Sequence, residues 1–214
     1  MNPAAAAIVD LYERHAATWV EARLHERELY ERAWLDRFTE TIPAGGQLLD
    51  LGCGAGAPIA KYLSERSYAV TGVDSSPAMV AMFGARLPNQ QALVADMRAL
   101  DLNHRFHGIL AWDSFFHLNH EDQRSMFAVF RTHAAPHAML IFNSGPSHGE
   151  AIGSLEGEPL YHASLDAAEY RRLLEREGFA VIANVADDQT CRGRTVWLAQ
   201  LQTWAATAAC TEVP

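Results

Sequence analysis

The sequence predicts an α/β fold, doubly wound around a mostly parallel sheet. Three observations carry the prediction. Short apolar runs alternate with helical segments along most of the chain. A glycine-dense turn, LLDLGCGAGAPIA, joins the first such run to a helix. Aspartates 50, 74 and 96 fall at or near the ends of three successive runs, where ligands bind in sheets of this kind. A chain of 214 residues suits one such domain.

Each element has its own justification. Residues 3–38 read as helical, with Leu24, Leu29, Trp34, Leu35 and Phe38 forming a broken apolar face. Pro43-Ala44-Gly45-Gly46 ends this N-terminal segment, residues 1–46. A buried strand over 47–53 follows, then a helix over 58–67 with Pro58 tolerated in its first turn. YAVTGVD is the second strand. Ser76-Pro77 opens a helix that Pro88 stops. Residues 92–96 form a short third strand and 106–113 the fourth. Asn119 caps a helix over 120–134, and HAMLIFN is the fifth strand. Residues 144–165 read as a loop, long for a compact domain and therefore of functional interest. Asp166 with Glu169 three residues later starts a helix that ends near Gly178. Two final strands, 181–186 and 195–201, have no helix between them and should pair antiparallel. The binding domain therefore spans 47–202, and the tail from 203 onward is expected to fray.

Composition narrows the function. The formal net charge is −9, with arginines scattered, so neither nucleic acid nor an anionic membrane is an expected partner. Three widely spaced cysteines, Cys53, Cys191 and Cys210, suit a reducing compartment, which points to the cytoplasm. The first residues lack the basic start and apolar core of a signal peptide. No apolar run approaches the roughly 20 residues that span a bilayer.

Gly52, Gly54 and Gly56 sit where the first strand turns into its helix. Glycine there permits positive φ and lets a ligand lie against bare backbone. Asp74 ends the second strand, placed to accept both hydroxyls of a ribose, so the ligand carries a nucleoside. The spacing G-x-G-x-G differs from the G-x-G-x-x-G of dinucleotide sites. Asp50 adds negative charge, awkward for a pyrophosphate but suited to a sulfonium with an α-amino group. Asp96 can accept from an adenine amino group, with Val94 and Met97 as apolar neighbours.

LLDLGCGAG, TGVDSSPAM and VADM, in this order and spacing, resemble the class I S-adenosylmethionine-dependent methyltransferases, and most closely their small-molecule, quinone-biosynthesis-type branch. The resemblance covers about residues 48–143. It implies a Rossmann-like, seven-stranded sheet whose last strand is antiparallel, with S-adenosylmethionine as cofactor and S-adenosylhomocysteine as product. It also implies roles. Gly52, Gly54 and Gly56 pass under the methionine part, with Asp50 near its amino group. Asp74 holds the ribose, and Ser75 and Met79 lie beside the nucleoside. Asp96 and Met97 flank the adenine. Trp112 and Asp113 face the methionyl end. Cys53 is common at its position and implies no thiol chemistry.

The acceptor is a small molecule of unspecified identity, methylated on O, N, S or C. In the family, the loop after the fourth strand borders the transferring methyl. Here that loop is WDSFFHL, and His117 is its one group titrating near neutrality, a base or an acceptor-orienting residue. The N-terminal segment, with Tyr12, His15, Trp19 and Arg23 at helical spacing, often folds over the site as a lid in such proteins. Arg23 could pair with the cofactor carboxylate. His148, Glu150, Tyr161 and His162 in the 144–165 loop are polar groups fit for an acceptor pocket. The histidine pairs 104/107, 117/120 and 133/137 lack the partners of a metal site, so no metal is expected. Two alternatives stay open: a nicotinamide-dependent reductase, which lacks its Tyr-x-x-x-Lys set in a chain whose only lysine is Lys61, and a non-catalytic cofactor-binding module.

Overall fold

A computed structural model describes residues 2–26 and 28–202 of the chain. The expected tail from 203 onward lies outside the described residues. Three helices come first: α1 (Pro3–Ala6), α2 (Ile8–His25) and α3 (Arg32–Thr39). The single broken helix expected over 3–38 is thus three pieces. Glu26 adopts an extended backbone after His25, which ends α2. The remaining elements are β1 (Gln47–Leu51), α4 (Ile59–Glu65), β2 (Ala69–Asp74), α5 (Pro77–Arg86), β3 (Gln91–Val94), β4 (Phe106–Ala111), α6 (His120–His133), β5 (Ala134–Ser144), β6 (Gly149–Leu155), β7 (Glu158–Ser164), α7 (Ala167–Arg176), β8 (Phe179–Asp188) and β9 (Arg194–Leu201).

Seven strands form one sheet in the order β3-β2-β1-β4-β5-β9-β8. β1, β2, β3, β4 and β5 run parallel to their neighbours, and β9 pairs antiparallel with both β5 and β8. The antiparallel last strand agrees with expectation. Strand order reverses between β1 and β4, so the loops leaving their carboxyl ends diverge and open a crevice. One face of the sheet buries an aromatic cluster of Phe115, Phe127, Phe130, Phe142, Tyr170 and Trp197. The other buries Trp34, Leu35, Phe38, Leu48, Leu63 and Phe83. With both faces covered, the central strands read as continuous apolar runs.

The long loop expected over 144–165 is instead a β-hairpin. β6 and β7 pair in full register from Gly149↔Ser164 to Leu155↔Glu158. Glu156 and Gly157 turn it with φ of +52° and +83°, the two positive values a tight two-residue hairpin turn demands. β8 and β9 also run longer than expected. Helix starts follow the caps read from sequence: Ser76 accepts from the Met79 amide, Asn119 from Glu121 and Asp122, and Asp166 from Ala168.

Candidate cofactor and acceptor cavity

A cavity of about 330 Å³ opens at the crevice between β1 and β4, within the range of small-molecule sites. The glycine turn forms its floor. Gly52, Gly54 and Gly56 have φ of +77°, +51° and +76°, so all three need the left-handed region. What crowds them differs. A Cβ on Gly52 would stand 2.2 Å from the Ser114 Cβ, and one on Gly56 would stand 2.7 Å from the Phe83 ring. A Cβ on Gly54 would meet only Trp19 at 3.6 Å and Met79 at 3.9 Å, both in the cavity wall. Gly52 and Gly54 line the cavity and Gly56 does not. Gly56 is bare because α5 packs against it, which corrects its expected place beneath the ligand.

Asp74 lies in the same wall. Its carboxylate accepts from the Gly54 and Ser76 amides, each at 2.9 Å, and so sets the shape of the turn. Burial raises its pKa above the usual carboxylate value. Four lone-pair sites leave it capacity for hydroxyl donors besides these two amides. Ser75 and Met79 stand beside it, as do Asp96 and Met97 farther along. Val94, expected near the adenine, is 54% exposed and does not line the cavity.

Asp50 is buried under the glycine turn, behind the wall rather than in it. Burial, aided by the nearby Asp74 charge, pushes its pKa up to about 7. Trp112 also departs from expectation. Trp112 turns into the core with Trp34 and Leu35, and the chain turns at Asp113, whose side chain faces the cavity. Asp113, at φ +49°, is held by Arg194 at 2.6 and 2.8 Å and accepts Tyr30 at 3.4 Å.

α2 forms the cover. Tyr12 and Trp19 line the cavity and meet edge to face. Arg23 does not reach it. Its guanidinium bonds Glu26 and Glu31 and stacks 4.7 Å over Tyr30, so it braces the break after α2 instead of meeting a ligand. Two fastenings hold α2 down. Glu13 accepts from the Ser76 hydroxyl and the Ala78 amide at the start of α5. On the other side Arg14 and His15 pair with Glu158 of the hairpin at 2.6 and 2.7 Å.

His117 lies in a short 3₁₀ turn at the far end of the cavity. Its Nδ1 is 2.7 Å from the Tyr161 carbonyl, which can only accept, so Nδ1 carries the proton. Nε2 is then the acceptor, and the Tyr12 hydroxyl donates to it at 2.9 Å. Burial pushes the His117 pKa down to about 4, away from the neutrality read from sequence. His162 packs 4.9 Å from this ring, and His148 stacks on His120. The Tyr161 hydroxyl donates to Glu150, which also takes the Asn2 amide. None of His148, Glu150, Tyr161 and His162 lines the cavity itself; the hairpin's contribution is the carbonyl that sets the His117 tautomer.

Several wall residues were not read from the sequence: Ser76, Arg98, Ser114, Asn119 and Asp122, with Ala5, Ala6, Ile8 and Val9. Asn119 and Asp122 carried a signal, since a capped helix start facing a crevice presents polar groups to it.

Residues 48–137 match the family model described as a methyltransferase domain. No curated protein sequence matches the chain. Among solved structures, the chain is similar to CalS10, an amino pentose methyltransferase from Micromonospora echinaspora solved with S-adenosylmethionine, at 20% identity and TM-score 0.70 over 86% of this chain and 96% of that one. DesVI of Streptomyces venezuelae aligns at 16% identity and TM-score 0.70, over 88% and 98% of the two chains. The glycopeptide N-methyltransferase MtfA, solved with S-adenosylhomocysteine, aligns at 20% identity and TM-score 0.65, over 80% and 90%. Residues 48–137 are thus similar to a methyltransferase domain, and the chain shares the fold of these solved S-adenosylmethionine-dependent methyltransferases.

Proposed function

We propose that the chain methylates a small-molecule amine held between the glycine turn and His117. The observation that carries this reading is one continuous cavity. It runs from Gly52, Gly54 and Asp74 to the Nε2 of His117, beneath Tyr12 and Trp19. The donor set fits S-adenosylmethionine: bare backbone at the turn, the half-buried Asp74 carboxylate for a ribose, and Asp96 beside Met97 for an adenine. The cofactor supplies a methyl group on a sulfonium, a good leaving group. The chain's residues have to align the acceptor and exclude water.

His117 separates the candidate acceptors. An imidazole with a pKa near 4 stays neutral and is a weak base. It is poorly matched to ionising an alcohol. It can accept one N–H of a neutral amine once the Tyr12 hydroxyl turns away from Nε2, and the amine lone pair is then free to attack. CalS10, an amino pentose methyltransferase, and MtfA, a glycopeptide N-methyltransferase, favour the same choice. The reductase alternative is disfavoured by the short glycine spacing. Among the described residues, no helix is long and apolar enough to cross a membrane; we read the location as cytoplasmic from the cysteine usage.

The test is methyl transfer from radiolabelled S-adenosylmethionine to a matched panel of amines, alcohols and carboxylates. Amines should be labelled. His117→Ala should lower kcat about ten- to a hundredfold through lost alignment, with S-adenosylhomocysteine affinity unchanged. A protein whose melting temperature responds to NADH but not to S-adenosylhomocysteine would refute the reading.

A further inference from the structure

We propose that Arg98 is a positioning residue that selects the adenine of the cofactor, by fixing the Asp96 carboxylate and bracing it against Asp122. The inference rests on the cofactor reading above and extends it to residues outside the sequence motifs.

The geometry is a fork with three tines. Asp96 caps the short 3₁₀ turn Met97–Ala99, and its Oδ1 accepts the Arg98 amide at 2.9 Å. The Arg98 Nε lies 2.9 Å from Oδ1 and 3.0 Å from Oδ2, and a terminal nitrogen lies 2.5 Å from Oδ2. The remaining terminal nitrogen reaches across the cavity mouth to Asp122 Oδ2 at 3.0 Å. Asn119 holds that same Asp122 oxygen at 2.9 Å. Asp96 follows β3 and Asp122 begins α6, so one guanidinium ties two walls of the cavity together.

The chemistry follows from counting. A carboxylate has about four lone-pair sites. The Arg98 amide and side chain take most of those on Asp96, leaving little beyond one. A free Asp96 would rotate and could serve a ligand of several shapes. A clamped one presents a fixed acceptor, which welcomes the 6-amino group of adenine and repels a 6-oxo group. Lysine cannot substitute, because only the planar fork engages both oxygens. The ion pair is about 40% exposed on both sides, where such pairs add little to folding. Its effect should therefore appear in ligand choice rather than in stability.

The experiment compares S-adenosylhomocysteine with S-inosylhomocysteine by calorimetry on the full chain. Wild type should prefer the adenine form about ten- to a hundredfold, the range of a hydrogen bond to a charged group. Arg98→Gln and Arg98→Lys should shrink that ratio to about threefold or less, chiefly by weakening the adenine form. Asp122→Asn should shrink it part of the way, and thermal melts should move little in all three. An unchanged ratio in Arg98→Gln overturns the proposal. So does tighter binding of S-adenosylhomocysteine by that variant, because Arg98 would then be competing with adenine for Asp96. Wild type that binds neither nucleoside fails the cofactor reading itself, a different outcome from either.

Discussion

The three glycines of the turn should separate on mutation, although sequence alone makes them look alike. Alanine at any of them must adopt a left-handed backbone, at about 1–2 kcal/mol. At Gly54 that is nearly the whole penalty, since the new methyl would meet Trp19 at 3.6 Å, an ordinary contact. At Gly56 the methyl would stand 2.7 Å from the Phe83 ring and 3.0 Å from Leu87, and Phe83 is fully buried. Overpacking of that kind adds about 1–3 kcal/mol. Gly56→Ala should thus lose about 2–5 kcal/mol, and Gly54→Ala about 1–2 kcal/mol. Binding should show the reverse ranking. Gly54→Ala puts its methyl in the cavity wall and should weaken S-adenosylhomocysteine more than tenfold, roughly the effect of losing 1.4 kcal/mol. Gly56→Ala, where it folds, should bind nearly as wild type does. Urea melts give the stabilities and calorimetry gives the affinities. If Gly56→Ala proves no less stable than Gly54→Ala, or if Gly54→Ala binds at full strength, the division of labour within the turn is wrong.

Two further predictions concern titratable groups of the cavity wall. Asp74→Ala should weaken S-adenosylhomocysteine by about 1.5–3 kcal/mol, the worth of hydrogen bonds to a charged group; calorimetry returning wild-type affinity for the folded variant contradicts the ribose role. His117 has a folded pKa of about 4 against about 6.5 unfolded, so between these values the unfolded chain binds more protons and stability falls as pH falls. Its contribution is constant above that window and drops by roughly 3 kcal/mol across it. His117→Gln keeps a donor for the Tyr161 carbonyl and should flatten this slope relative to wild type in urea melts at pH 5 and pH 7.5.

The sheet was legible because its central strands are buried on both faces and read as unbroken apolar runs, LLDL and HAMLIFN among them. The hairpin over 149–164 was not. Glycines at 149 and 153 and a proline at 159 dilute its strand propensity, and its first strand is largely exposed along both faces. Glu156-Gly157 was the available signal, a weaker cousin of Asp-Gly. Gly52, Gly54, Asp74, Ser75, Asp96 and Met97 could be placed along one cavity from the sequence because they lie at or just past the carboxyl ends of β1, β2 and β3. Trp112 was misplaced because the chain leaves the strand direction after it, at the left-handed Asp113. Arg23 was misread because helical spacing gives a face but not a partner, and Glu31, eight residues on, lies beyond the break in the helix. The His117 pKa depends on burial, which a single sequence does not report.

A cover made from the chain's own second helix also governs timing. α2 is pinned at Glu13 on one flank and at Glu158 on the other, with the glycine turn beneath Trp19. One flank must let go first, and the Arg14–Glu158 pair, 51% and 43% exposed, is the looser. Exposed ion pairs of this sort weaken as ionic strength rises. Raised ionic strength should therefore loosen the hairpin flank of the cover before the α5 flank, where Glu13 takes the Ser76 hydroxyl and the Ala78 amide.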